Sequence, residues 1–349
     1  MRRIRILTAA SAIIAAVAVI SFMLSRTLTV REPIATVTSA KVVESALITG
    51  TLSSRQIPEQ VQPPSASAPT VASPASATAF PIPNAASLRP ACGNPDPLGV
   101  ARVVEIDTAG GPGFGFEQFK AYDFLREREV VLTFDDGPWP GNTQAVLKAL
   151  ADQCTKALFF PIGKHAMWHP EILKQVVAAG HTVGSHSWSH ADLSKLTIEQ
   201  AKEEFEKGAS AVRAALGTSE ASFFRFPGLR NPPEMLAYLG TRNIGIFSTD
   251  MDSFDFKSRK PEQVVVSVIA KLKKRGKGIV LLHDFQHPTS LALPELLAQL
   301  KAEGYKIVHV RSKDSLTTLP EYDEAIMKEL GPGTVSTRSI ANVVRTVSE

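Results

Sequence analysis

Apolar and polar positions change rhythm at Val130. From there, short runs of apolar and β-branched residues alternate with longer stretches in which apolar residues recur every three or four positions. The short runs predict strands over residues 130–134, 157–161, 182–185, 222–226, 244–248, 278–283 and 306–310. The longer ones predict helices at about 143–153, 170–179, 197–216, 232–239, 261–275 and 291–303. Pro170 and Pro261 suit a first helical turn, Thr197 with Gln200 forms a capping box, and Gly180, Gly240, Gly276 and Gly304 suit the stops. Seven strands alternating with helices imply a parallel sheet. Right-handed crossovers then leave two arrangements, a barrel or a doubly wound open sheet.

Upstream of Val130 the pattern is different. Arg2, Arg3 and Arg5 precede an uncharged, mostly apolar run over residues 6–24. Its length is close to the ~20 residues that span a bilayer, and the excess of Arg before it favours a cytoplasmic N-terminus. Residues 1–26 therefore read as a signal anchor, holding the rest of the chain on the periplasmic, extracytoplasmic face of the inner membrane. The alternative is a cleavable signal with a small-residue site around Thr38, Ser39 and Ala40, which gives a secreted protein. Residues 27–90 read as a linker, and 56–90, rich in Pro, Ala and Ser and almost free of charge, as an extended tether. Residues 91–129 read as an N-terminal extension of the catalytic domain. Its glycine cluster, Gly110 to Gly115, reads as a loop because it does not sit between a strand and a helix as a phosphate-binding turn does. The main domain covers 130–318, and 319–349 is a tail with one helix over 322–330.

Composition narrows the function classes. A hydrophobic fraction of 44% supports a sizeable core, and the net charge of +4 is mild. The densest basic cluster, Lys271, Lys273, Lys274, Arg275 and Lys277, sits at the end of a predicted helix, where cations complement the helix dipole. No larger basic surface accompanies it, so nucleic acid is not expected as a partner. Two cysteines, Cys92 and Cys154, are too few for a Cys-rich zinc site. In an exported chain they permit one disulfide tying the linker end to the body; otherwise they are two unpaired thiols.

The polar residues of interest follow the predicted strands. Asp135 and Asp136 come after the first, His186 and His190 after the third, Arg225 lies in the fourth, Asp250, Asp252 and Asp255 follow the fifth, and His283 closes the sixth. A barrel gathers all those ends on one rim, whereas an open sheet leaves some far apart, so the barrel is the expected fold. Adjacent acids at a strand end, released by Gly137-Pro138, can divide the labour between binding a cation and moving a proton. His186 and His190, four apart, face the same side of a helical turn, a spacing suited to one metal ion. Ser187 between them excludes the metalloprotease helix motif. Two imidazoles and one carboxylate leave positions open for water and substrate.

Five stretches in order complete the picture: Thr133-Phe134-Asp135-Asp136-Gly137-Pro138, His186-Ser187-Trp188-Ser189-His190, Arg225-Phe226-Pro227-Gly228, Asp252-Ser253-Phe254-Asp255-Phe256 and Leu281-Leu282-His283. Together they resemble the five motifs of the polysaccharide deacetylases (carbohydrate esterase family 4, the NodB-homology domain). The resemblance covers roughly residues 130–310. It implies an α/β fold, a distorted seven-stranded (β/α) barrel, and metal-dependent removal of acetyl groups from N-acetylated sugars such as chitooligosaccharide, peptidoglycan or exopolysaccharide. It further implies that Asp136, His186 and His190 bind one divalent metal, commonly zinc, with cobalt or another divalent ion as alternatives. By the same resemblance Asp135 is the general base toward the attacking water and Arg225 keeps Asp135 ionised and oriented. His283 is the general acid toward the leaving amine, and Asp255 supports its imidazolium. Leu281 lines the acetyl pocket, and the Gly228 N–H faces the developing oxyanion.

Two positions depart from the family pattern. Gly228 stands where an aromatic residue is usual, removing one wall of the sugar groove, and Phe256 replaces a common Trp while keeping an apolar wall. Arg230, Trp139 and Trp188 are further candidates to line the groove, with a core position the alternative for Trp188. His165, His169, His181, His287 and His309 match no motif and read as structural or surface residues. An O-acetyl esterase acting on a polymer such as acetylated xylan is the enzymatic alternative. A catalytically inactive carbohydrate-binding homologue is another, disfavoured by the intact set of acids, bases and ligands.

Overall fold

The structure, a computed structural model, describes residues 92–330. The expected anchor over 6–24, the linker over 27–90 and the end of the tail lie outside the described residues. No helix of the described residues is long and apolar enough to cross a membrane.

The central strand is β3 (Glu129–Asp135), buried along its whole length. Both faces are covered, so it reads as a continuous apolar run rather than an alternating one. Val130, Leu132 and Phe134 point out toward helices, sharing one core with Val146, Leu150, Val268 and Leu296. Val131 points inward, packing with Leu158, Phe160, Phe223, Phe247 and Ile279. Thr133 and Asp135, two and four residues on, continue that inner face toward the C-terminal end.

Around β3 stand β1 (Arg102–Ile106), β4 (Leu158–Phe160), β5 (Thr182–Val183), β8 (Met251–Asp252), β9 (Gly278–His283) and β10 (Lys306–Ser312), forming a seven-stranded sheet. A three-stranded sheet contains β2 (Gly113–Phe114), β7 (Gly245–Phe247) and β6 (Phe223–Phe224). Every strand pair is parallel. A single bridge, Ser185 to Phe224, joins β5's end to β6. The expected barrel is thus met as a parallel α/β arrangement with a broken ladder: two hydrogen-bonded sheets rather than one closed ring. The strand ends still share one direction, which is what the site needs.

The outer layer contains α1 (Asn142–Asp152), α2 (Gly163–Trp168), α3 (Pro170–Ala178), α4 (Ile198–Leu216), α5 (Pro233–Thr241), α6 (Pro261–Arg275), α7 (His287–Ala302) and α8 (Pro320–Leu330). Thr197 and Gln200 make the expected reciprocal cap at the start of α4. Gly276, at φ 87°, ends α6 in the left-handed region.

Several expectations are corrected. Gly240 does not stop a helix, since α5 runs on to Thr241; a Cβ there would come 3.2 Å from the Gly110 carbonyl oxygen, so the glycine permits a close approach. The glycine cluster is not only a loop: it contains β2, and a Cβ on Gly115 would lie 2.7 Å from the Thr249 backbone nitrogen. Residues 91–129 supply β1, paired with β10, and β2, paired with β7. The two-residue β2, like the six-residue α2, is too brief for a period to declare itself.

Candidate active site

The strand ends bring together the side chains that were scattered in sequence. Asp135 closes β3 on its inner face, and Arg225, fully buried one residue beyond β6, reaches it with Nη1 to Oδ1 at 2.7 Å. The same guanidinium donates to Thr133 Oγ1 at 2.7 Å and to the carbonyls of Phe247 and Ser248 at 3.1 and 2.8 Å. A buried cation so completely hydrogen-bonded has one rotamer available, which fixes the carboxylate it pairs with. Burial pushes the Asp135 carboxyl upward, against the pull of the Arg225 charge.

Asp136 turns out of the strand at φ 73°. Its Oδ1 is buried without a hydrogen-bond partner and lies 3.5 Å from both His186 Nε2 and His190 Nε2. Asp135 Oδ2 stands 3.8 Å from the same His186 nitrogen. The His186 Nδ1–H donates to the Arg225 carbonyl at 2.7 Å, so the Nε2 lone pair faces the carboxylates. Burial, the largest influence, lowers the His186 pKa to about 3, leaving a neutral imidazole. Asp136, His186 and His190 each offer an atom within 4.8 Å of the others. An orphaned buried carboxylate oxygen facing two imidazole nitrogens fits a divalent metal.

The two histidines do not converge on a helical turn, as their spacing suggested. Ser187 and His190 adopt φ of 64° and 62°, and the segment is irregular. Helix α4 holds it: Glu204 accepts from the Ser189 N–H at 2.9 Å and the Ser189 hydroxyl at 2.7 Å, and the Glu204 carbonyl accepts from Trp188 N–H at 2.8 Å. Gly208 lies so close that a Cβ there would strike the Ser187 backbone.

Opposite stands His283, at the end of β9. Its Nδ1 bonds Asp255 Oδ1 at 2.6 Å, its backbone N–H donates to Asp255 Oδ2 at 2.8 Å, and Thr289 donates to that same oxygen at 2.6 Å. Burial alone would lower the His283 pKa, but the Asp255 hydrogen bond and charge outweigh it and raise it to about 9. Burial likewise opposes ionisation of Asp255, yet the donors around it hold that carboxyl below its usual range. His283 Nε2 lies 3.9 Å from Asp136 Oδ2.

Gly228 sits at φ 59° in a short turn just after Arg225, and Leu281 is buried in β9. The Phe256 ring lies 5.7 Å from the His283 ring. Trp188 packs under Lys207, 4.4 Å from its ring, and so belongs to the α4 contact rather than the groove. Arg230 is drawn to Asp192 at 3.5 Å. Asp250 is structural, accepting from the Phe116 and Ile279 N–H groups at 2.6 and 2.7 Å. His181 and His309 are buried and His287 exposed, as expected. His165 is not remote: its Nδ1–H donates to the Asp136 carbonyl at 2.6 Å.

Sequence reasoning also missed Asp284. Fully buried behind the Asp-Asp turn, it accepts from the Gly137 N–H at 3.1 Å and from Thr143 Oγ1 at 2.5 Å. A Cβ at Gly137 would overlap its carboxylate, which is why glycine follows the two acids.

Comparison with known proteins identifies the family. The polysaccharide deacetylase family model matches residues 124–244. A chitooligosaccharide deacetylase of Bradyrhizobium is 31% identical over 199 residues, covering 53% of this chain and 90% of that protein. The chain belongs to the polysaccharide deacetylase family. The peptidoglycan-N-acetylglucosamine deacetylase PgdA of Listeria monocytogenes is 31% identical over 189 residues, 52% of this chain, and the chain spans only 38% of that protein's length. A peptidoglycan deacetylase of Bdellovibrio bacteriovorus superposes with a TM-score of 0.56 at 35% identity, covering 61% of this chain and 59% of that one. The family's parallel α/β architecture and the Asp-His-His cluster found here thus occur together.

Proposed function

We propose that this chain is a metal-dependent deacetylase that hydrolyses acetyl groups from an N-acetylated glycan outside the cytoplasm. The observation that carries the reading is the Asp136 carboxylate, buried and unpaired at Oδ1, 3.5 Å from two imidazole nitrogens. Asp136, His186 and His190 would hold one divalent cation, zinc or cobalt, which would lower the pKa of a water and polarise the acetyl carbonyl.

The remaining work falls to the chain's own groups. Arg225 occupies Asp135 Oδ1, leaving Oδ2 toward the His186 side to accept the proton of the attacking water. His283, its Nδ1–H committed to Asp255, presents Nε2–H to the leaving nitrogen from the other side. An amine is a poor leaving group until protonated, so a histidine held as imidazolium suits an amide better than an ester. Positioned acids and bases of this kind contribute roughly 10²–10⁴-fold each. The Gly228 N–H faces the developing oxyanion, Leu281 forms the floor of the acetyl pocket, and Phe256 the wall beside His283.

The names of the relatives support N-acetylated glucosamine in chitooligosaccharide or peptidoglycan as the substrate. The Cys92–Cys154 disulfide supports an extracytoplasmic location. The apolar run over 6–24 and the linker over 27–90 support a catalytic domain, 130–318, carried at the outer face of the inner membrane.

The test is acetate release by metal-stripped protein, with zinc or cobalt added back, from chitooligosaccharides, peptidoglycan and acetylated xylan. Acetate from the N-acetylated glycans is expected, restored by metal and lost in Asp136→Ala together with stoichiometric metal. Acetate from xylan alone converts the protein to an O-acetyl esterase. Bound metal with no acetate from any glycan leaves a carbohydrate-binding homologue.

A further inference from the structure

Helix α8 lies beyond the last strand, outside the alternation that builds the body, yet it grips the helix that holds the metal-binding segment. It runs along α4 in the opposite sense. Near its start Asp323 Oδ2 accepts from Arg213 Nη1 at 2.6 Å and from Thr318 Oγ1 at 2.9 Å. Ile326 is fully buried, and near the helix end Glu329 Oε1 accepts from Lys207 Nζ at 2.5 Å.

The last of these contacts leads back to the site. Lys207 Nζ also stands 4.4 Å from the centre of the Trp188 ring, and Trp188 lies midway in sequence between His186 and His190. The start of α2 closes on the same indole: a Cβ on Gly163 would come 2.9 Å from its Cε3, and Lys164 Nζ lies 5.8 Å from the ring. The backbone there is tied as well, with the Gly163 N–H donating to the Ser187 carbonyl at 2.9 Å and the Lys164 N–H to the Trp188 carbonyl at 3.0 Å. The ring is therefore a handle on the segment, since a shift of the indole shifts the backbone that carries both imidazoles.

An ion pair at the surface contributes little to stability by itself. Lys207 is 19% exposed and Glu329 48%, so burial of charge is not the point of this one. Its effect is to remove freedom. Lysine carries its ammonium on a long flexible stem, and a carboxylate that fixes that ammonium keeps the charge over the ring it attracts. The segment needs such restraint, because Ser187 and His190 hold φ of 64° and 62°, values that non-glycine residues keep only when their surroundings enforce them.

We propose that α8 is a positioning element for the metal ligands: Glu329 pins the Lys207 ammonium over Trp188, and that contact steadies the turn carrying His186 and His190. This role rests on the metal-dependent reading and places part of the support for the site on a helix that itself supplies no ligand.

The full chain is compared with Glu329→Gln, Lys207→Met and Lys207→Arg, each stripped of metal and titrated with cobalt, the ion's visible absorption reporting both affinity and ligand geometry. The cobalt dissociation constant rises about threefold in Glu329→Gln and about tenfold in Lys207→Met, with an altered cobalt band in the latter. Lys207→Arg, which keeps a cation over the ring and a donor to Glu329, stays within about twofold of the parent. A cobalt affinity in Lys207→Met equal to the parent's overturns the role of α8 while the metal-dependent reading stands. Hydrogen exchange gives a second readout that needs no metal. The Trp188 and Ser189 amides, which donate to the Glu204 carbonyl at 2.8 Å and its carboxylate at 2.9 Å, exchange faster in the stripped Glu329→Gln and Lys207→Met proteins. Exchange that quickens equally along α6 marks general loosening and overturns the proposal. Quickening confined to the segment, in a protein whose parent binds no cobalt, sinks the metal-dependent reading and keeps the grip of α8 on the turn.

Discussion

Asp255 commits both oxygens to one task. One accepts from the His283 ring and the other from its backbone and from Thr289. The imidazolium this sustains, with a pKa raised to about 9, sets a pH expectation. The acid form is present below that value and lost above it, so kcat/KM should fall as pH rises through about 9. In Asp255→Asn burial is left with less opposition, the His283 pKa drops, and the alkaline limb should move at least one unit lower. An alkaline limb that stays in place in Asp255→Asn removes His283 from the role of acid. At this scale the sequence was informative wherever a charged residue interrupted an otherwise apolar strand end. Asp135, Asp136, Arg225 and His283 all stood out in that way. Asp284, Thr289 and His165 did not, because their partners are backbone groups or residues on other elements, and nothing in their own neighbourhood marks them.

Helix α4 decides where the histidines point. The spacing of His186 and His190 correctly indicated convergence, but the expected helical turn is replaced by two residues in the left-handed region, stapled to α4 by Glu204. Periodicity carries no information about a tertiary contact of this kind, so the location was legible and the conformation was not. Gly208 makes the contact possible, since a Cβ there would meet Ser187 backbone rather than a side chain able to swing away. Gly208→Ala should therefore cost about 1–3 kcal/mol in urea unfolding, the range for overpacking. It should also weaken metal binding about tenfold or more, as displaced supports of a metal ligand do. A variant with wild-type stability and metal affinity shows that α4 does not set the turn. Long helices with chemical ends, α4 and α6, matched their sequence signals closely, whereas two-residue strands such as β2 and β8 gave none.

Across the whole molecule, the alternation of strand and helix foretold a parallel α/β body, and the polar strand ends foretold one mouth. The break in the ring was not legible, because it depends on which edges pair and not on which residues are apolar. The disulfide, left open between a bridge and two thiols, joins Cys92 to Cys154 across 62 residues of sequence. Closing a loop of that length should contribute about 2–4 kcal/mol. Reduction, or the Cys92→Ser/Cys154→Ser double variant, should lower the urea midpoint by the corresponding amount; an unshifted midpoint shows that the bridge carries no stability. Its position has a mechanical side as well. Cys154 lies between α1 and β4, at the end of the parallel strands away from the acids and imidazoles. A pull applied along the chain ahead of Cys92 is therefore received covalently at the rear of the body. The load bypasses the short strand β1, and the catalytic opening is left facing away from the point of traction.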